Sequence, residues 1–139
     1  MQKLNEKDLG TLDGFKLQTF QTPDLDARPD YLRTEKEYLE GGELPADASK
    51  YAAADAARLR AWKADKWAFV GVVVVAGVEV QREGRGPKFI PLGNASLWGC
   101  EDDNADHLNS VAEELKAEAV AEAKEVAAQI AAALTKGGA

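Results

Sequence analysis

The chain has 139 residues, enough for one domain, and a formal net charge of −7. Phosphate binding needs clustered Lys and Arg that release counterions, so this sign argues against general nucleic-acid affinity and against anionic membranes. A basic partner, or a protein surface that normally grips nucleic acid, suits the sign; so does a charge that only maintains solubility.

The single cysteine, Cys100, rules out an intrachain disulfide and a thiol–metal cluster. Residues Met1 to Gly10 lack the apolar run of a signal peptide, and the longest apolar stretch, Trp67 to Val78, is short for a bilayer. The expected location is the cytoplasm. Along the chain the charge is about −4 over residues 1–50, about +3 over 51–100 and about −6 over 101–139.

Residues 1–28 read as an arm in which Leu17 to Phe20 hint at a short strand, broken by Thr22-Pro23-Asp24. From Pro29 a short helix carrying Tyr31, Leu32, Glu35, Tyr38 and Leu39 is expected, stopped by Gly41-Gly42. Residues 41–48 read as a linker. A second helix is expected from Asp47 or Ser49, both good caps, to about Lys63, with Tyr51, Ala52, Ala56, Leu59 and Trp62 on one side and Asp55 interrupting them.

Lys66 to Arg82 is the clearest strand. Phe69 to Val75 is apolar on both alternating faces, which predicts a central position covered on both sides. After the turn Glu83 to Pro87, a strand over Lys88 to Leu92 contains Pro91, which suggests an edge or a bulge. Gly93-Asn94 reads as a further turn, and Ala95 to Glu101 as a third strand. From about Asp103 to Thr135, Leu108, Val111, Leu115, Ala119, Ala123, Val126, Ile130 and Leu134 repeat every three or four residues and predict a long amphipathic helix. Asp103 and Asn104 are its candidate caps. Its apolar stripe is expected against Val72, Val74 and Trp98.

The fold class is therefore α+β: an antiparallel sheet of three strands, or four with the arm, covered by helices and followed by the long C-terminal helix. The expected division is an N-terminal arm over 1–48 and a core over 49–139.

No persuasive catalytic set can be assembled. His107 is the only histidine, placed in the first turn of an acidic helix and expected to be exposed. Cys100 has no basic neighbour to lower its pKa and reads as a small buried hydrophobe. Gly84-Arg85-Gly86 precedes a strand, not a helix, and so is wrongly placed for a phosphate loop. Glu101 to Asp106 lacks the glycine and distal glutamate of a calcium loop and reads as a helix start favoured by the dipole. No cofactor, metal or catalytic residue is expected.

The acidic surface supplies the candidate partner-binding residues. At about 100° per residue, Glu114, Glu118, Glu122 and Glu125 gather beside the apolar stripe. Like charges four apart cost a few tenths of a kcal/mol per pair, roughly, and the sequence accepts this repeatedly. With Asp102, Asp103 and Asp106 they are expected to make a line of carboxylates on the order of 30 Å long, able to imitate a phosphate backbone; an ordinary solvated helix face is the other reading. Arg82, Arg85 and Lys88 form a smaller basic patch at the hairpin tip. Trp62, Trp67 and Trp98 are expected to cluster near the sheet.

Leu59-Arg60-Ala61-Trp62-Lys63-Ala64-Asp65-Lys66-Trp67-Ala68-Phe69-Val70-Gly71-Val72 and the later Ala95-Ser96-Leu97-Trp98-Gly99-Cys100-Glu101-Asp102-Asp103 resemble a family of uncharacterised proteins of bacteriophages and prophages. Those show a Trp-aromatic-Val/Ile-Gly-Ile/Val strand and a later Leu-Trp-Gly-Ile-Glu before acidic residues and an amphipathic helix. The likeness covers about residues 51–120, with Cys100 where an aliphatic residue is usual. It implies an origin and no activity. Together with the acidic strip it leads to the expectation of a non-enzymatic phage protein that binds and inhibits a host complex, such as a nucleic-acid-guided defence complex of the CRISPR kind. A phage assembly protein that oligomerises through the long helix, or a nucleic-acid accessory protein using Arg82, Arg85 and Lys88, are the alternatives.

Overall fold

The structure is a computed structural model that describes residues 1–138. In chain order it comprises β1 (Leu4–Leu12), β2 (Phe15–Pro23), α1 (Glu35–Glu40), α2 (Pro45–Lys63), β3 (Phe69–Arg82), β4 (Arg85–Glu101) and α3 (Ala105–Gly138). The class is α+β: the strands form one antiparallel sheet in the order β1-β2-β3-β4, and α3 lies across it.

The strand count of four arises differently from the expectation. Residues 1–28 supply two strands, not a hint of one. Asp13 and Gly14 both have positive φ (53° and 84°), the backbone that a two-residue hairpin turn requires, so Leu12 and Phe15 pair directly across them. Leu17 on β2 is fully buried and Phe20 is 7% exposed, which places β2 in the core, with the partly buried Leu9 and Leu12 of β1 packed against it. Conversely, the two strands expected after residue 88 are one. Gly93-Asn94 does not turn: Gly93 pairs with Ala76 and Asn94 with Val75, while the register slips between Ala76 and Gly77. That bulge accommodates Pro91, and β4 is an outer strand, where a missing donor is tolerated.

Gly93 has a different purpose from turning. A Cβ there would meet the backbone of α3, 2.3 Å from Ala123 N and 2.5 Å from Ala119 O. Glycine thus lets helix and strand touch, with the fully buried Ala119 and Ala123 completing the contact. Further along, Leu108, Val111, Ala112, Leu115 and Val120 of α3 pack with Leu17, Val70, Val72, Val74, Ala95 and Cys100 into a single core. The expected stripe holds as far as Ala123; Ile130 and Leu134 are 46% and 72% exposed, because α3 outruns the sheet.

Trp98 does not join this packing. Its ring covers Gly71, whose neighbours Val70 and Val72 point toward α3, so Trp98 lies on the opposite face. That face is also populated by Phe69, Val73 and Phe20, all buried, with Phe20 and Val73 in register. Both faces of β3 are covered, the second by side chains of the flanking strands.

The helical pair α1–α2 sits apart from the sheet faces. Thr34 caps α1 with a complete capping box to Glu37, so the helix begins at Glu35 and Pro29 belongs to the preceding turn. Pro45 occupies the first turn of α2, starting it before the expected caps. Asp55, the interruption in its apolar side, accepts from Tyr38 Oη at 2.6 Å and from Arg33 N at 2.9 Å, tying α1 down. Chain direction recovers cleanly: Asp24 N–H donates to the Phe69 carbonyl at 3.0 Å, so the excursion leaves and rejoins the sheet at one place.

Candidate functional surface

Asn104 caps α3, its Oδ1 accepting from His107 N–H at 3.1 Å, and His107 is exposed as expected. Cys100 is buried in the core, where loss of solvation, reinforced by the Asp24 carboxylate, pushes its thiol pKa up. Among the described residues no three His, Cys, Asp or Glu side chains are placed to hold a metal ion, and no helix is long and apolar enough to cross a membrane.

The acidic residues divide into two groups. Glu114, Glu118, Glu122 and Glu125 are all exposed along one flank of α3. The flank is the one beside β4, since Glu122 Oε2 accepts from Asn94 N–H at 3.4 Å. The other flank faces β1: Lys124 reaches Asp13 at 2.6 Å and Lys7 reaches Asn109 at 2.6 Å. The four glutamates therefore stand together, while Lys7 and Lys124 lie on the far side of the helix with partners of their own.

Asp102, Asp103 and Asp106 do not extend that line. Asp102 Oδ1 accepts from Ala68 N–H at 2.9 Å, while its own N–H donates to the Ala68 carbonyl, which closes the mouth of the β3–β4 pair. Asp103 is held by Arg58 in a two-pronged ion pair, Nη2–Oδ1 2.8 Å and Nη1–Oδ2 2.5 Å. Asp106 is exposed but lies about 80° around the helix from Glu114, away from the other three glutamates.

Arg58 is the residue that sequence patterning missed. Its guanidinium lies 3.7 Å from the centroid of the Trp67 ring and also pairs with Glu101 at 3.2 Å. Trp67 Nε1–H returns a hydrogen bond to the Arg58 carbonyl at 3.0 Å. Tyr31 adds its hydroxyl to Glu101 and its ring edge to Phe69. The Asp103 hydrogen bond raises the Arg58 pKa, and Arg58 in turn holds the Asp103 carboxyl below the usual carboxylate range. Glu101 and Asp103, the carboxylates of the calcium-like stretch, are thus spent on docking α2 against the end of the sheet. No spacing rule marks Arg58, whose partners are supplied by distant chain.

The three tryptophans do not cluster. Trp67 is buried against Phe69, Trp62 lies beneath Arg28, and Trp98 is 48% exposed beside Leu97, itself 45% exposed. At the hairpin tip Arg82, Arg85 and Lys88 are exposed, with Arg82 Nε donating to the Gly86 carbonyl at 2.9 Å. No family model, curated protein or solved structure matches the chain.

Proposed function

We propose that this is a phage-encoded, non-enzymatic protein that binds and inhibits a host protein complex in the host cytoplasm, offering the glutamate flank of α3 to a basic surface. An anti-CRISPR or other anti-defence activity is of this type, because such complexes hold nucleic acid in cationic channels. The observation that carries the reading is the row Glu114, Glu118, Glu122 and Glu125, exposed on one side of a helix whose other side is seated in the core. A rigid helix presents these charges without an ordering cost on binding. The phage origin rests on the resemblance carried by residues 59–72 and 95–103.

Affinity capture of the tagged protein from host lysate, followed by a nuclease or interference assay of the captured complex, tests the reading. Reversal of Glu114, Glu118 and Glu125 to Arg is expected to abolish both capture and inhibition while thermal unfolding stays within a few degrees. Inhibition undiminished in that variant would overturn the acidic-surface mechanism.

A second reading is favoured by one feature. Beyond Glu125 the helix carries no charge before Lys136, and its exposed Ile130 and Leu134 extend the core stripe past the sheet. A phage assembly protein that oligomerises through this end would be dimeric or larger in light scattering; a monomer at high concentration would remove it.

A further inference from the structure

Among the described residues, strand β4 has no neighbour on its outer side. The hydrogen bond from Asn94 N–H to Glu122 shows that residue 94 turns its backbone donor outward, away from β3. Residues 94 to 97 pair with Val75 to Val72 without interruption, so Ser96 has the same outward orientation. In the free protein the Glu122 carboxylate takes the hydrogen bond that the carbonyl of an added strand would take, and displacement by that strand frees it to meet a side chain. Directly beyond, Leu97 and Trp98 each expose nearly half of their surface on opposite faces of the sheet. Unpaired backbone groups flanked by half-exposed apolar side chains are the ingredients of strand addition.

Building on the acidic-surface reading above, we propose that the β4 edge over Asn94–Trp98 receives an extended segment of the partner protein as a fifth strand, with Lys or Arg at alternate positions of that segment. Alternate residues of a strand stand about 6.8 Å apart on one face. Glu114, Glu118 and Glu122 follow one another at about 6 Å along the helix. Three alternating basic side chains on the α3 side therefore meet three carboxylates nearly in step, while the intervening residues fall on the face of Trp98. A second copy of this chain fits poorly. Antiparallel pairing of two β4 edges puts both α3 helices on the same face, and their glutamate rows would confront each other.

The test uses two labelled synthetic decapeptides of identical composition, one with Arg alternating with Val and Thr, the other with its Arg residues in one block. Fluorescence anisotropy is expected to show the alternating peptide binding at least tenfold more tightly, with slowed amide exchange at Ser96. Glu118→Arg and Ser96→Pro are each expected to weaken it tenfold or more, the proline because it deletes an outward N–H and leaves the pairing with β3 intact. Backbone N-methylation of the peptide repeats the Ser96→Pro measurement without altering the protein. Equal binding of both peptides, lost in Glu118→Arg but retained in Ser96→Pro and by the methylated peptide, would overturn strand addition and leave the acidic-surface reading standing. Binding indifferent to Glu118→Arg, or none at all, would also overturn the proposal; capture of the host complex is scored separately, so the two failures are distinguishable.

Discussion

The indole of Trp98 occupies the space that a side chain on Gly71 would fill: a Cβ at residue 71 would stand 2.4 Å from Trp98 Cε3 and 2.8 Å from Cδ2. Gly71 of the stretch 59–72 and Trp98 of the stretch 95–103 therefore form one contact, in which the glycine of β3 seats the tryptophan of β4. Because the ring is half exposed, it can swing outward. Gly71→Ala is expected to cost about 1 kcal/mol and to shift tryptophan emission to the red as Trp98 enters water. An unchanged emission maximum would show that the ring is not seated there.

Gly93→Ala is the contrasting case. Here the added methyl meets the main chain of α3 at Ala119 and Ala123, which cannot rotate aside. The helix must lift from β4, at a cost of about 3 kcal/mol, and chemical denaturation should report a loss clearly greater than for Gly71→Ala. Comparable losses would show that α3 rides higher over the strand.

Arg58→Met retains an apolar stem against Trp67 and deletes the ion pairs with Asp103 and Glu101. At neutral pH the expected loss is about 1 kcal/mol, kept small because these groups are partly solvated. The sign with pH follows from Asp103, whose pKa is lowered in the folded protein. Its contribution is complete above the unfolded value of about 3.9 and disappears as pH falls through the lowered folded value. The stability gap between wild type and Arg58→Met should therefore narrow as pH falls below about 4. A gap constant from pH 7 to pH 2 would mean that Arg58 contributes through packing alone.

Burial raises the Cys100 pKa, so the native thiol should resist alkylation at pH 8 and react promptly in denaturant, as read by intact mass. Cys100→Val, which places a similarly sized aliphatic residue in the same core, should stay within about 1 kcal/mol of wild type.

The sequence made α3 legible because its apolar repeat and its acidic start agree, and β3 because seven consecutive residues suit a doubly covered strand. The hairpin over residues 4–23 was hidden by its polar composition, although Asp13-Gly14 between Leu12 and Phe15 is the usual signature of such a turn. Pro91 marks the bulge on an outer strand that its missing donor implies, whereas Gly93-Asn94 reads as a turn because a close helix contact uses the same residue type as a turn. The glutamate flank could be read from helical spacing. The exclusion of Asp102 and Asp103 from it could not, since both are claimed by partners, Ala68 and Arg58, that only the tertiary fold brings near.

The hydrogen bond between Asp24 and Phe69 has a consequence for how the molecule assembles. The β1–β2 and β3–β4 connections are two-residue turns, so each hairpin can form locally and quickly, whereas β2 and β3 meet only when the ends of residues 24–68 are brought together. Topologically the helical pair is a cassette set into a hairpin. A short turn bridging residues 24 and 69 would convert the sheet and α3 into a continuous ββββα unit of low contact order, able to shed the cassette and still close its core.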